Sequence, residues 1–312
     1  MSVRVGLAGG RGYVGEELLG LLLQDSDIEI VYVGSRGLAG QAVASEYQDL
    51  PTSLVFQDLS PQSIAASPAD IWILAQANGQ AEELVEVISQ TDAKMIDISS
   101  DFRFTDRWTY GLPEKNQTEI SAAQRIANPG CYATAAQLAL LPLQTLLEGR
   151  PAVFGISGYS GAGRTPNDKN DPRRLANNIL PYSLTGHTHE LEISRHLGRE
   201  IAFMPHVAAF FRGISVTVNA RLTESVTVEQ LLTQFKSYYA GCDLVEVQQG
   251  IPEIQQVVET NKALVGGFCV DARTGRDVTL VCVIDNLRKG AASQAIQNLN
   301  LMCGLASEKG LL

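Results

Sequence analysis

One cysteine, set in a turn, has the surroundings of a nucleophile. In Asn128-Pro129-Gly130-Cys131-Tyr132-Ala133-Thr134, Pro129 and Gly130 force a turn, and the residues from Tyr132 to Leu141 have the apolar spacing of a helix. Cys131 therefore stands at or near a helix start. Free backbone N–H groups and the positive end of the helix dipole favour a thiolate there, the form of cysteine that attacks carbonyl carbon. The competing account is a small buried apolar residue, the usual fate of a free cysteine. A second cluster bears on that choice. All four histidines, at 187, 189, 196 and 206, fall in one short segment, and Gly186-His187-Thr188-His189-Glu190-Leu191-Glu192 holds two of them. His187-x-His189 with Glu192 has the donors for a metal, yet no cysteine or further carboxylate is placed to complete a ligand set, so no metal is expected. Imidazole titrates near neutral pH and can take and return a proton, so the pair reads better as the proton acceptor that a nucleophilic cysteine needs. His196, before Leu197-Gly198, reads as an exposed residue at a helix C-terminus, and His206, taken as preceding an apolar strand, as structural.

Other residues suit an anionic cofactor. Val3-Arg4-Val5-Gly6-Leu7-Ala8 feeds Gly9-Gly10-Arg11-Gly12-Tyr13-Val14-Gly15 ahead of an apolar helix, Glu16 to Gln24. The Gly9-x-x-Gly12-x-x-Gly15 spacing resembles a dinucleotide fingerprint shifted by one residue: glycines let the backbone turn tightly and approach a pyrophosphate lying on the helix N-terminus. A second strand, Ile28 to Val33, ends in Gly34-Ser35-Arg36-Gly37. An Asp or Glu at this strand end would bind ribose hydroxyls; Ser35 and Arg36 suit a 2′-phosphate instead, which favours NADP(H) over NAD(H). The bland alternative for Arg36 is an exposed side chain in a polar turn. Arg103, in Ser99-Ser100-Asp101-Phe102-Arg103, is either an anion clamp or an ion-pair partner of Asp101.

These residues need a frame. Strand candidates Asp70 to Ala75 and Lys94 to Ser99, separated by a helix from Gln80 to Gln90, continue the alternation begun at Val3. Alternating strands and helices predict an α/β, Rossmann-type, doubly wound parallel sheet, with the cofactor crevice lined by loops at the strands' carboxyl ends. After the Cys131 helix the pattern changes. Ala152 to Ile156 leads into a second glycine-rich loop, Ser157 to Arg164, and then a polar stretch, Thr165 to Asn178, of the irregular kind that is usually functional or mobile. Strand candidates Ile201 to Pro205, Ile214 to Leu222, Ala263 to Asp271 and Val278 to Ile284, with a helix from Val228 to Tyr239, predict a second α+β domain with a mixed or antiparallel sheet. The apolar helix from Ala291 to Cys303 must cover something, and the sheet of the first domain is the expected surface. At 312 residues the chain has room for both domains. A net charge of −10 argues against nucleic acid or an anionic membrane as partner. Five scattered cysteines without a C-x-x-C pair point to a reducing compartment. With no basic leader and no membrane-spanning apolar run, the expected address is the cytoplasm.

Motifs running nearly end to end resemble one family. Gly9 to Leu19, Asp97-Ile98-Ser99-Ser100-Asp101-Phe102-Arg103, Tyr110-Gly111-Leu112-Pro113-Glu114, Asn128 to Thr134, Ser160-Gly161-Ala162-Gly163-Arg164, Gly186 to Glu192 and Asp285-Asn286-Leu287-Arg288-Lys289-Gly290-Ala291-Ala292 are similar to N-acetyl-γ-glutamyl-phosphate reductase. The resemblance implies NADPH-dependent reduction of N-acetyl-γ-glutamyl phosphate to N-acetylglutamate 5-semialdehyde and phosphate, in arginine biosynthesis, on the fold of aspartate-semialdehyde dehydrogenase. It implies an NADP-binding domain of residues 1–130 with 287–312, and a catalytic and oligomerisation domain of residues 131–286 in a homo-oligomer, dimer or tetramer. By the same resemblance Cys131 is the nucleophile and His189 the acid/base, with His187 open as the alternative. Arg103, Asn128, His187, Glu192 and Arg164 are substrate-binding candidates, and Gly9, Arg11, Gly12, Tyr13, Val14, Gly15, Ser35, Arg36, Ser160, Gly161 and Asn286 cofactor-binding ones. The expected course is thiolate attack on the acyl phosphate, a thioester, hydride reduction and release of the semialdehyde. Two departures stand out. Ala75-Gln76-Ala77-Asn78-Gly79 replaces the family's usual Ala-Leu-Pro-His-Gly, and Leu191 stands where proline is common. The alternatives are reduction of another acyl phosphate, aspartyl or carrier-bound aminoadipyl, and, from another class, an NADP-binding redox regulator that switches at Cys131.

Overall fold

The computed structural model describes residues 2–50 and 52–312; Met1, the first residue of the expected nucleotide domain, lies outside them. In chain order the elements are β1 (Val3–Ala8), α1 (Tyr13–Gln24), β2 (Ile28–Gly34), α2 (Val43–Glu46), α3 (Pro61–Ala65), β3 (Ile71–Leu74), α4 (Glu82–Ile88), β4 (Lys94–Asp97), β5 (Thr109–Tyr110), α5 (Pro113–Ser121), β6 (Arg125–Ala127), α6 (Cys131–Leu140), β7 (Leu147–Gly158), α7 (Pro172–Leu175), β8 (Ile179–Pro181), α8 (Thr188–Leu197), β9 (Ala202–Ala208), β10 (Ile214–Leu222), α9 (Val228–Tyr238), β11 (Val245–Val247), β12 (Ala263–Val270), β13 (Asp277–Ile284) and α10 (Ala292–Met302). They group into two compact units, one running to Pro129 and resumed by Ala291–Leu312, the other Gly130–Gly290.

The first unit is a parallel six-stranded sheet in the order β2-β1-β3-β4-β6-β5. Its middle strands are apolar without alternation because both faces are covered: Ile71, Trp72, Ile73 and Leu74 are all buried. From β2 the chain crosses β1 and resumes at β3, so the strand order reverses between the carboxyl ends of β1 and β3, the place where such sheets bind ligands. The terminal helix covers this unit, packing on α5, α1 and β4. All of α10 is buried, polar residues included. Two amide nitrogens find partners: Asn298 Nδ2 donates to Gly111 O (3.0 Å) and Asn128 Oδ1 (2.9 Å), and Asn300 Nδ2 to Ser307 O and Lys309 O.

The second unit is a seven-stranded mixed sheet, β11-β12-β13-β10-β7-β9-β8. Its centre, β12 to β7, is antiparallel, and β11 and β9 each add a parallel pairing. Alternating burial along β10 reflects its period-two sequence. Helix α6 lies against β10, β13 and α8, and every residue from Tyr132 to Leu140 is buried. A helix apolar on all sides belongs in a core. One expectation is corrected here. His206 does not precede a strand but lies inside β9, its ring 4.5 Å from that of Phe154 and its Nδ1 3.1 Å from Met204 O; the strand continues because Val207 and Ala208 still pair with β7.

Candidate active site

The sulfur of Cys131 belongs to the first residue of α6. Gly130 caps the helix in an extended conformation with no side-chain oxygen to occupy the leading N–H groups, and Thr134 N donates to its carbonyl at 2.8 Å. The N–H of Gly130 itself donates to Glu192 Oε1 at 2.8 Å, and that carboxylate is fully buried. An acid at a helix N-terminus is favoured by the dipole, so α8 holds the start of α6 through Glu192. On another side the approach is close enough to require glycine: a Cβ on Gly290 would come within 2.7 Å of Cys131 Cβ and 2.6 Å of Asn286 O. Cys131 is partly exposed, unlike the rest of its helix.

The histidines reach the same place from α8. Cys131, His187, His189, Lys169, Tyr182 and Ser157 are among the residues lining one pocket of the second unit, open to solvent. His187 is the N-cap of α8: its Nδ1 accepts the backbone N–H of His189 at 3.0 Å. A neutral ring whose Nδ1 accepts carries its proton on Nε2. Burial above all, then the Lys169 ammonium, lower the pKa of His187 from 6.5 to about 4, with Glu192 opposing. His187 is thus a neutral N–H donor. The His189 ring stacks edgewise on Tyr132, 5.8 Å between centroids, and tilts against His187 at 5.0 Å. Tyr132 is itself tied down by its hydroxyl, which donates to His206 O at 2.6 Å.

The remaining second-unit candidates separate. Gly161 lines the pocket, while Glu192 and Arg164 are not among its lining residues. Ser160 is buried; its Oγ accepts from Asn286 Nδ2 at 2.9 Å, and Asn286 Oδ1 accepts Gly213 N–H at 2.6 Å. Asn286 so braces the glycine-rich turn after β7. Two pocket residues escaped the sequence reading. Tyr182 has no motif around it, and Lys169 lies within the polar stretch singled out only as a segment. What brings Tyr182 in is pairing: β8 runs antiparallel to β9, and Tyr182 N donates to Pro205 O at 3.2 Å.

In the first unit, Gly9 adopts φ +92°, and a Cβ there would lie 2.4 Å from Ala75 O, so only glycine lets β1 turn against the end of β3. At Gly12, the N-cap of α1, a Cβ would meet nothing within 4 Å, and no side chain caps the helix. Space, and N–H groups that no cap side chain engages, together fit a pyrophosphate. Tyr13 and Val14, half-buried, begin α1, and Gly15 packs under Gly10. Arg11 and Arg36 are exposed, and Ser35 is buried with its N–H donated to Gln57 O. Two cations at the end of β2 fit a 2′-phosphate. Arg103 is only 7 % exposed; its Nε donates to Asn128 O (2.9 Å) and an Nη to Ile98 O (2.7 Å). Asp101 accepts Gly79 N–H (2.7 Å) and Ala81 N–H (3.3 Å). Asn128 is fully buried, donating to Ala291 O at 3.3 Å and accepting from Asn298. Burial raises Asp97 from 3.8 to about 6, against its two bonds from Ser99 and the Arg103 charge. Among the described residues no group of three His, Cys, Asp or Glu side chains could hold a metal, and no helix is long and apolar enough to cross a membrane.

Two family models match the chain. The semialdehyde dehydrogenase NAD binding domain matches residues 4–123, and the semialdehyde dehydrogenase dimerisation domain residues 131–286. The chain is 46 % identical over 302 residues to an N-acetyl-gamma-glutamyl-phosphate reductase of Xanthomonas campestris pv. campestris, covering 96 % of this chain and 95 % of the relative. A reductase of the same name from Stenotrophomonas maltophilia is 44 % identical over 303 residues, with the same coverage. The mitochondrial protein arg-6 of Neurospora crassa is 44 % identical over 99 % of this chain, which matches 36 % of that longer protein. Among solved structures, aspartate semialdehyde dehydrogenase II of Vibrio cholerae shares the fold with a TM-score of 0.83 at 20 % identity, over 97 % of this chain and 99 % of the other. The enzyme of Candida albicans, solved with NADP, gives 0.76 at 14 % identity, over 99 % of each chain.

Proposed function

The chain belongs to the N-acetyl-γ-glutamyl-phosphate reductase family, and from that premise we propose that Cys131 is its nucleophile and His189 its proton carrier. The enzyme reduces N-acetyl-γ-glutamyl phosphate to N-acetylglutamate 5-semialdehyde and phosphate in arginine biosynthesis, with NADPH as reductant. One observation carries the assignment of residues: a cysteine at a helix N-terminus opens on the same pocket as two histidines.

Cys131 loses its proton to His189 and attacks the acyl carbon; the C–O bond to phosphate breaks, and His189 returns the proton to the departing phosphate. The acyl group is left as a thioester on Cys131. The N–H groups at the start of α6, not engaged by any capping side chain, are placed to take the developing oxyanion. NADPH, when bound, supplies the hydride that reduces the thioester carbon. The resulting alkoxide collapses to the aldehyde, breaking the C–S bond and releasing the Cys131 thiolate, which regains a proton that His189 relays from solvent. His187, held neutral with its proton on Nε2, donates to the substrate rather than moving a proton. Glu192 acts from beneath, positioning the first turn of α6. Gly9, Arg11, Gly12, Tyr13, Val14 and Gly15, with Ser35 and Arg36, would hold the dinucleotide on the first unit. Ser160, Gly161 and Asn286 shape the turn above the second-unit sheet. The second unit is where we place self-association, as dimer or tetramer, and five cysteines free of disulfides suit a cytoplasmic enzyme.

Cys131→Ser tests the central assignment. The variant is expected to bind NADPH within about twofold of wild type while losing turnover by on the order of a thousandfold or more in the phosphate-dependent oxidation of the semialdehyde. Substantial remaining turnover would take Cys131 out of the mechanism.

A further inference from the structure

We propose that Lys169 binds an oxyanion of the substrate in the Cys131 pocket, a role that rests on the reductase reading above. An acyl phosphate with a free carboxylate brings several negative charges to a protein whose own net charge is −10, so its pocket must supply positive charge. Arg164, the second-unit arginine that sequence suggested for this task, is not among the residues lining the pocket. No aspartate or glutamate lines it, and His187 is neutral. Lys169 is the lysine of the lining, and its Nζ sits 4.9 Å over the ring of Tyr182. Among the described residues its ammonium has no carboxylate partner; the adjacent Asp168 pairs with Arg174 at 2.7 Å. An exposed ammonium needs no partner, but this one is held in place.

The loop that carries it is built rather than slack. Asn167 Nδ2 donates to Ala162 O (3.1 Å) and Thr165 O (2.8 Å), and Asn170 Nδ2 to Gly163 O and Thr165 O, both at 2.9 Å. Asn170 Oδ1 accepts Asn167 N–H at 2.7 Å, and Asn167 Oδ1 accepts Lys169 N–H at 2.9 Å. Two asparagines thus tie the backbone on either side of Lys169 to the glycine-rich turn that lines the pocket. An ordered loop bearing a lysine into a pocket with a nucleophilic thiol and a neutral histidine N–H is suited to an oxyanion. Phosphoryl group and carboxylate share that chemistry.

The test is the reverse reaction, semialdehyde with inorganic phosphate and NADP, in wild type, Lys169→Met and Lys169→Arg. In Lys169→Met the KM for phosphate or the KM for the semialdehyde is expected to rise about tenfold or more with kcat within about threefold, the size of one lost charge-assisted bond, and Lys169→Arg should restore most of it. A rise confined to phosphate assigns the phosphoryl group; one confined to the semialdehyde assigns the carboxylate. A second readout needs no turnover: inorganic phosphate or N-acetylglutamate should slow alkylation of Cys131 by iodoacetamide in wild type, and do so only at about tenfold higher concentration in Lys169→Met. Unchanged KM values and unchanged protection would overturn the proposal, as would a fall in kcat alone. Activity surviving in Cys131→Ser would instead sink the nucleophile assignment and leave the Lys169 comparison readable.

Discussion

Two helix starts, α1 and α6, are made from the same local grammar and treated in opposite ways. Each follows a glycine N-cap in extended conformation that offers no side-chain oxygen. By contrast α9 is closed by a full box in which Thr227 and Gln230 satisfy each other's backbone N–H groups. At α1 the cap residue Gly12 is exposed and has open space around it. At α6 the cap is buried, its N–H taken by the Glu192 carboxylate from another helix, and its first residue is the one partly exposed member. The comparison teaches that an uncapped N-terminus is not one kind of site. Left open, it is a cradle for a bound anion; closed from beneath, it becomes a rigid seat for a side chain.

Breaking each seat separately has the largest effects. Gly290→Ala drives a methyl into Cys131 Cβ and Asn286 O, and should lower kcat by about 100-fold while NADPH affinity stays within about twofold. Gly9→Ala forces alanine to φ +92° against Ala75 O, costing about 1–3 kcal/mol, and should weaken NADPH with the Cys131 alkylation rate unchanged. Both variants losing both properties would dissolve the distinction, and calorimetry beside thiol labelling decides it. Next in size, Arg36→Ala should weaken NADPH about tenfold and leave NADH unaffected; equal losses would remove Arg36 from 2′-phosphate recognition.

The smallest effect is a contrast of sign in acid. His187 is depressed from 6.5 to about 4, so between those values the unfolded chain binds a proton that the folded one refuses; its contribution is present above pH 6.5 and lost as pH falls towards 4. Asp97, raised from 3.8 to about 6, runs the other way: its contribution is full below pH 3.8 and lost as pH rises through 6. Denaturant stability measured from pH 4 to 7 should lose its upward slope in part with His187→Gln and become steeper upward with Asp97→Asn. Slopes that shift in the same direction in the two variants would contradict these assignments.

Much of the frame was legible because it depends on short-range pattern. The apolar run Ile71-Trp72-Ile73-Leu74 read as a strand, and the alternation of Ile214 to Leu222 as a half-buried one. Pro129-Gly130 announced the start of α6, and the apolar Ala291 to Cys303 announced a covering helix. Illegible were relations across long separations. Nothing around Tyr182 or Lys169 marks them, since their place comes from the pairing of β8 with β9 and from asparagine bonds within the loop. Likewise nothing in the sequence marks Asp101 as the acceptor of the Gly79 and Ala81 N–H groups across α4.

From sequence alone came the kind of chemistry: a thiol at a helix start, imidazoles two residues apart, glycines before an apolar helix, and a guanidinium where a carboxylate would select NAD. Those properties belong to residue types and near neighbours, whose energies are local. Only the tertiary structure decided that His187 is neutral, that Glu192 braces the Gly130 N–H, and that Lys169 lines the Cys131 pocket. Burial and hydrogen-bond partnership are set by what else the fold brings within a few ångströms, and the order of residues along a chain does not specify that distance.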